Sequence, residues 1–81
     1  MTERIMNMGL NAIEIKEMNL IEVSGSNEKL MELKDTLDNE GYSNDTAAME
    51  MMFGVRPPEA DEVTKILITT FGDKDGYLLV A

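Results

Sequence analysis

An α/β (α+β) domain is the fold this sequence predicts: one small antiparallel or mixed sheet, two short helices on one face, and a C-terminal β-hairpin. Three patterns predict it. Apolar residues alternate in part over 11–24, a leucine stripe recurs at helical spacing within 27–40, and two apolar runs near the end flank a Gly- and Asp-rich turn. Strands and helices that each present one apolar face bury them against one another in layers.

In NAIEIKEMNLIEVS, Ile13 and Ile15 share a parity, and Ile21 and Val23 follow it. That spacing reads as one long strand, or as two short ones turning near Glu17–Asn19. Ser24-Gly25-Ser26-Asn27 forms a turn ending in a helix N-cap at Ser26 or Asn27, and a helix is expected from about 27 to 40. At about 100° per residue, Leu30, Leu33 and Leu37 fall on one face, with Glu28, Glu32 and Asp35 opposite and Asp38 beside them. Gly41 supplies the stop. Ser43 or Asn44 caps a second helix over about 45–53, with Ala48, Met49, Met52 and Phe53 inward, and Gly54 with Pro57-Pro58 ends it. Segments 63–71 and 77–81 then form the hairpin around Gly-Asp-Lys-Asp-Gly. Its arms carry the unbroken triplets Ile66-Leu67-Ile68 and Leu78-Leu79-Val80, which suit strands covered on both faces. Two short helices on one face leave the other face for a partner, so a homodimer is expected.

Eighty-one residues make a single domain, 1–81, with a thin margin of stability. There is no Cys or His, so neither a disulfide nor a thiolate or imidazole zinc site can reinforce it. MTERIMNMG has no long apolar stretch and carries Glu3, and no run reaches the roughly 18 apolar residues of a membrane span, so a cytoplasmic location is expected. If the chain is phage-encoded, that means the host bacterial cytoplasm.

Residue types also narrow the chemistry. Ser24, Ser26 and Ser43 have no His to act as base, and no Cys can be a nucleophile. Carboxylate pairs are plentiful, but two Phe and no Trp leave little with which to enclose a pocket. Asp73-Lys74-Asp75-Gly76 echoes the start of a calcium loop but lacks the remaining ligands and reads as a hairpin turn, and Glu59, Asp61 and Glu62 read as a solvated loop. No cofactor and no metal are expected. Of the eight Met, Met49 and Met52 fit core filling, whereas Met31 and Met51 are expected to face outward, Met31 among acids.

The net charge of −9 repels nucleic acid and anionic membranes and attracts basic partners. Five of those nine net negatives fall within 28–50, where Glu28, Glu32, Asp35, Asp38, Glu40, Asp45 and Glu50 stand against Lys29 and Lys34. These seven acids together with Met31 form the expected partner-binding surface. From Glu28 to Glu40 the acids recur about every 4 Å of helix, against about 3.4 Å for phosphates along one DNA strand. A plain solvated helix face carries the same pattern.

Two resemblances follow from these segments. Residues 18–53, as strand MNLIEVS, helix NEKLMELKDTLDNE, turn Gly41-Tyr42-Ser43 and helix NDTAAMEMMF, resemble a ribbon-helix-helix unit. That family dimerises through its strand and reads DNA with outward strand residues, which would be Leu20, Glu22 and Ser24 here, where the family carries basic or polar readers. The size, the acid-rich segment 28–50 and the absence of Cys and His resemble small acidic bacteriophage host-takeover proteins that mimic DNA, in particular the phage inhibitor of the bacterial histone-like protein HU. That resemblance implies a dimer whose acidic surface occupies the partner's DNA-binding groove. The expected function is a non-enzymatic DNA mimic that inhibits a basic nucleic-acid-binding protein without binding nucleic acid itself. A ribbon-helix-helix-like regulator or antitoxin is the first alternative, and a small carboxylate-dependent enzyme the second.

Overall fold

A computed structural model describes residues 1–59, 62–71 and 74–81. Four strands form one antiparallel sheet in the order β1 (Asn11–Ile15), β2 (Leu20–Ser24), β3 (Lys65–Phe71), β4 (Lys74–Val80). Among the described residues three α-helices accompany it: α1 (Thr2–Asn7), α2 (Asn27–Asn39) and α3 (Thr46–Phe53). The expected α+β class, the antiparallel sheet and the C-terminal hairpin are all present. Residues 11–24 form two strands joined by a 3-10 turn at Lys16–Met18 and by Asn19 in the left-handed region, which a short polar side chain tolerates. The buried Thr69 hydroxyl donates to the Asn19 carbonyl and ties this turn to β3.

The leucine stripe determines how α2 sits. Leu30, Leu33 and Leu37 are buried against Val23, Ile66, Ile68 and Tyr77 on one face of the sheet. Full burial of a leucine contributes about 1.5–3 kcal/mol. Ser26 caps the helix by accepting from the Lys29 amide. At the other end Gly41, with φ of 90°, lets its own amide reach the Asp38 carbonyl and the Tyr42 amide reach the Leu37 carbonyl, a Schellman closure. α1 lies on the same face, antiparallel to α2: Arg4 pairs with Glu40 near the end of α2, and the Lys29 ammonium lies over Gly9 near its start. Ile5 of α1 is fully buried in this layer.

Two helices therefore do share one face, but they are α1 and α2. The second predicted helix, α3, covers the opposite face, where Met49 and Phe53 pack with Leu20, Leu67, Leu78 and Val80. The chain crosses from one face to the other around the outer edge of β4. There Ser43 forms a parallel bridge with Gly76: its amide donates to the Asp75 carbonyl and its carbonyl accepts from the Tyr77 amide. A Cβ at position 76 would meet the Ser43 carbonyl at 3.3 Å, so any side chain there requires the Ser43 segment to move by a few tenths of an ångström. Because Ser43 serves the bridge, Asp45 is the cap of α3, accepting from the Ala48 amide, and not Ser43 or Asn44 as expected.

This arrangement corrects the reason given for a dimer. Ile66 and Ile68 face α1 and α2, while Leu67, Leu78 and Val80 face α3, so both triplets are covered within one chain. It also excludes the ribbon-helix-helix topology. β2 is paired on both sides, by β1 and β3, Leu20 is buried rather than outward, and α2 and α3 lie on opposite faces.

The methionines are partly redistributed. Met49 is buried as expected, but Met52 and Ala48 are exposed although expected inward, and Met31 is half-buried against the core although expected outward. Met51 is 90 % exposed, as expected. Lys74, Asp75 and Gly76 belong to β4 and extend the hairpin ladder to the Phe71–Lys74 pair. Asp61 and Asp73 lie outside the described residues. Among the described residues, no helix is long and apolar enough to cross a membrane.

Candidate acidic interface

The seven acids of 28–50 and Met31 are not one surface. Glu28, Glu32 and Asp35 stand on the outer side of α2, within an arc of about 60° and a rise of about 10 Å. All three are exposed, and none forms an ion pair with another described residue. They sit on a helix whose opposite stripe is locked into the core, so their backbone positions are fixed.

The other members are occupied or displaced. Asp38 lies on the flank of α2, where one carboxylate oxygen accepts from the Tyr77 hydroxyl and the other pairs with Lys34 at 2.9 Å. These hydrogen bonds, first from Tyr77 and then from Lys34, hold the Asp38 carboxyl below the usual carboxylate range. Burial and then the bond to Asp38 push the Tyr77 phenol well above its ordinary range. Glu40 pairs with Arg4, and this bond raises the guanidinium further. Asp45 caps α3, and Glu50 rides on α3, across the sheet from α2. Half-buried Met31 packs against the core cluster.

The free array is consequently sparser than the sequence spacing suggests. Three carboxylates over about 10 Å give one per about 5 Å, against the 4 Å expected from the five acids of Glu28–Glu40 and the 3.4 Å of DNA phosphates. Two of the three pairings that thin it join residues far apart in the chain, Arg4 to Glu40 and Tyr77 to Asp38, while Lys34 reaches Asp38 one helical turn away.

The concave surfaces are small or open. One of about 470 Å³ is lined by Glu40, Gly41, Tyr42, Ser43, Lys74 and Asp75, at the crossing around β4. Burial, followed by the charges of Asp75 and Glu40, pushes the Tyr42 phenol up. A second, of about 160 Å³, lies between Met1, Glu14, Asn19 and Thr70. Asp75 borders both: its carboxylate accepts from the Thr70 hydroxyl at 2.8 Å in the smaller one, and its backbone carbonyl accepts from the Ser43 hydroxyl in the larger. Among the described residues, no group of three or more acids is placed to hold a metal ion. Comparison with known proteins finds no matching family model, no matching curated protein and no matching solved structure.

Proposed function

We propose that this chain is a non-enzymatic binding protein. It presents the Glu28–Glu32–Asp35 ridge of α2 to the nucleic-acid-binding surface of a basic protein and competes there with DNA. The ridge itself carries the reading: three exposed carboxylates on one side of a helix, none in a salt bridge with another described residue, in a chain of net charge −9. A helix anchored by Leu30, Leu33 and Leu37 presents them without a backbone ordering cost on binding. The histone-like protein HU, to which the sequence resemblance points, is the first partner to try.

Displacement of a labelled DNA duplex from purified HU tests this directly. The wild-type chain displaces the duplex, and does so less well as salt rises, because screening shortens from about 10 Å at 0.1 M to about 3 Å at 1 M. Reversing Glu32 and Asp35 to Lys abolishes displacement with unchanged circular dichroism, since neither side chain touches the core. Reversing Glu59 and Glu62 to Lys, two exposed acids in a loop, shifts the net charge by the same four units and costs much less. Equal losses in the two double reversals would mean that net charge alone acts. Undiminished displacement by the doubly reversed variant would remove the ridge as the interface.

A further inference from the structure

The two edges of the sheet differ. The outer edge of β4 is partly taken by the Ser43 bridge, whereas β1 has no strand on its outer side among the described residues. A free edge offers a row of unpaired amide and carbonyl groups to any extended chain. Ile13 shares the parity of Ile15, which packs toward α3, so its side chain stands on the face opposite α1. Among the described residues six large hydrophobic side chains are exposed, and two of them flank this edge: Ile13 in β1 and Met18 in the turn that follows. Ile13, the middle residue of β1, is 61 % exposed.

Charge indicates what can cover the edge. Residues 1–19 contain Glu3, Glu14 and Glu17 against Arg4 and Lys16, one net negative charge, and the other eight net negatives lie from residue 20 onward. The β1 region is thus the part of this acidic chain that another copy can approach with little local repulsion. The Glu28–Glu32–Asp35 ridge lies on α2, which packs on Ile66, Ile68 and Tyr77 of β3 and β4. Antiparallel pairing of β1 with itself about Ile13 sets Glu14 opposite Ala12 of the other copy, and no two acids face each other directly.

We infer that the free β1 edge is a self-association site, at which two copies pair β1 antiparallel about a two-fold axis through Ile13 and form one eight-stranded sheet. This does not depend on the acidic ridge having a partner. Backbone pairing supplies the geometry, and the two exposed Ile13 side chains, meeting at the axis, supply apolar burial beside it.

Because the chain has no Cys, a single engineered one reports without background. Residues directly opposite in an antiparallel pair have Cα atoms about 4.5–5.5 Å apart, within disulfide reach. Under mild oxidation at micromolar concentration, Ile13→Cys gives a covalent species of twice 9.0 kDa. Met51→Cys, more exposed but on α3, stays single. Sedimentation of the wild type gives the doubled mass, and Ile13→Lys, altering an exposed side chain, gives a single chain with unchanged circular dichroism. A wild-type monomer throughout the micromolar range overturns the inference. So does cross-linking of Met51→Cys as fast as Ile13→Cys, which would show random collision.

Discussion

Asp38 illustrates how one residue can serve the fold where its position suggests a surface role. On the helical wheel it stands with the outer acids, but its partner Tyr77 is 39 residues away and becomes visible only when β4 packs beneath α2. The pair has a signed pH dependence. Asp38 has a lowered folded pKa, so its contribution is present above the unfolded value of about 4 and is lost as pH falls through the folded one. Tyr77 has a raised folded pKa, so its contribution is present below about pH 10 and is lost as pH rises above that. Tyr77→Phe keeps the ring and removes the hydroxyl. It should cost about 1 kcal/mol at neutral pH and flatten the fall in stability at both extremes. Urea midpoints measured from pH 3 to 10.5 check this; unchanged slopes at both ends would mean that the bond contributes nothing. Asp45 teaches the same lesson at shorter range. Ser43 and Asn44 are as good caps by residue type, and the choice falls to Asp45 because the Ser43 backbone is engaged with β4.

The elements legible in the sequence are those whose own pattern is sufficient. α2 has a cap, a three-leucine stripe over thirteen residues and a glycine stop, and it forms where expected. α1 escapes notice because six residues with one buried side chain show no period. α3 is legible as a helix but not by face. Met49, Met51, Met52 and Phe53 surround so much of an eight-residue helix that apolarity alone does not mark an inner side. Its face is decided by the crossing at Ser43 and Gly76, which carries the chain to the far side of the sheet. Gly76→Val tests that crossing. The new side chain must push against the Ser43 backbone, and a loss of about 1–3 kcal/mol is expected despite the better strand propensity of valine. A denaturation midpoint at or above the wild-type value would show that the Ser43 segment yields freely.

The whole molecule has a Cα radius of gyration of 11.5 Å, close to the roughly 11.7 Å of a compact domain of this length. One chain thus closes its own core, and Leu67→Glu should unfold it rather than merely separate two copies, because Leu67 is buried beneath α3. What remains for association is surface, and charge divides it into two kinds with opposite responses to salt. Docking of the α2 ridge on a basic partner joins unlike charges, so screening weakens it. Pairing of two β1 edges brings together two bodies of charge −9 through a region of little net charge, so screening removes long-range repulsion and leaves backbone pairing and apolar burial intact. From low salt to about 0.5 M, where the Debye length falls to about 4 Å, self-association measured by sedimentation should strengthen and level off. Over the same range, affinity for the basic partner should fall continuously. If self-association also weakened with salt, ionic contacts rather than strand pairing would be holding the copies together, and Lys16, the basic side chain next to β1, would be the first residue to replace.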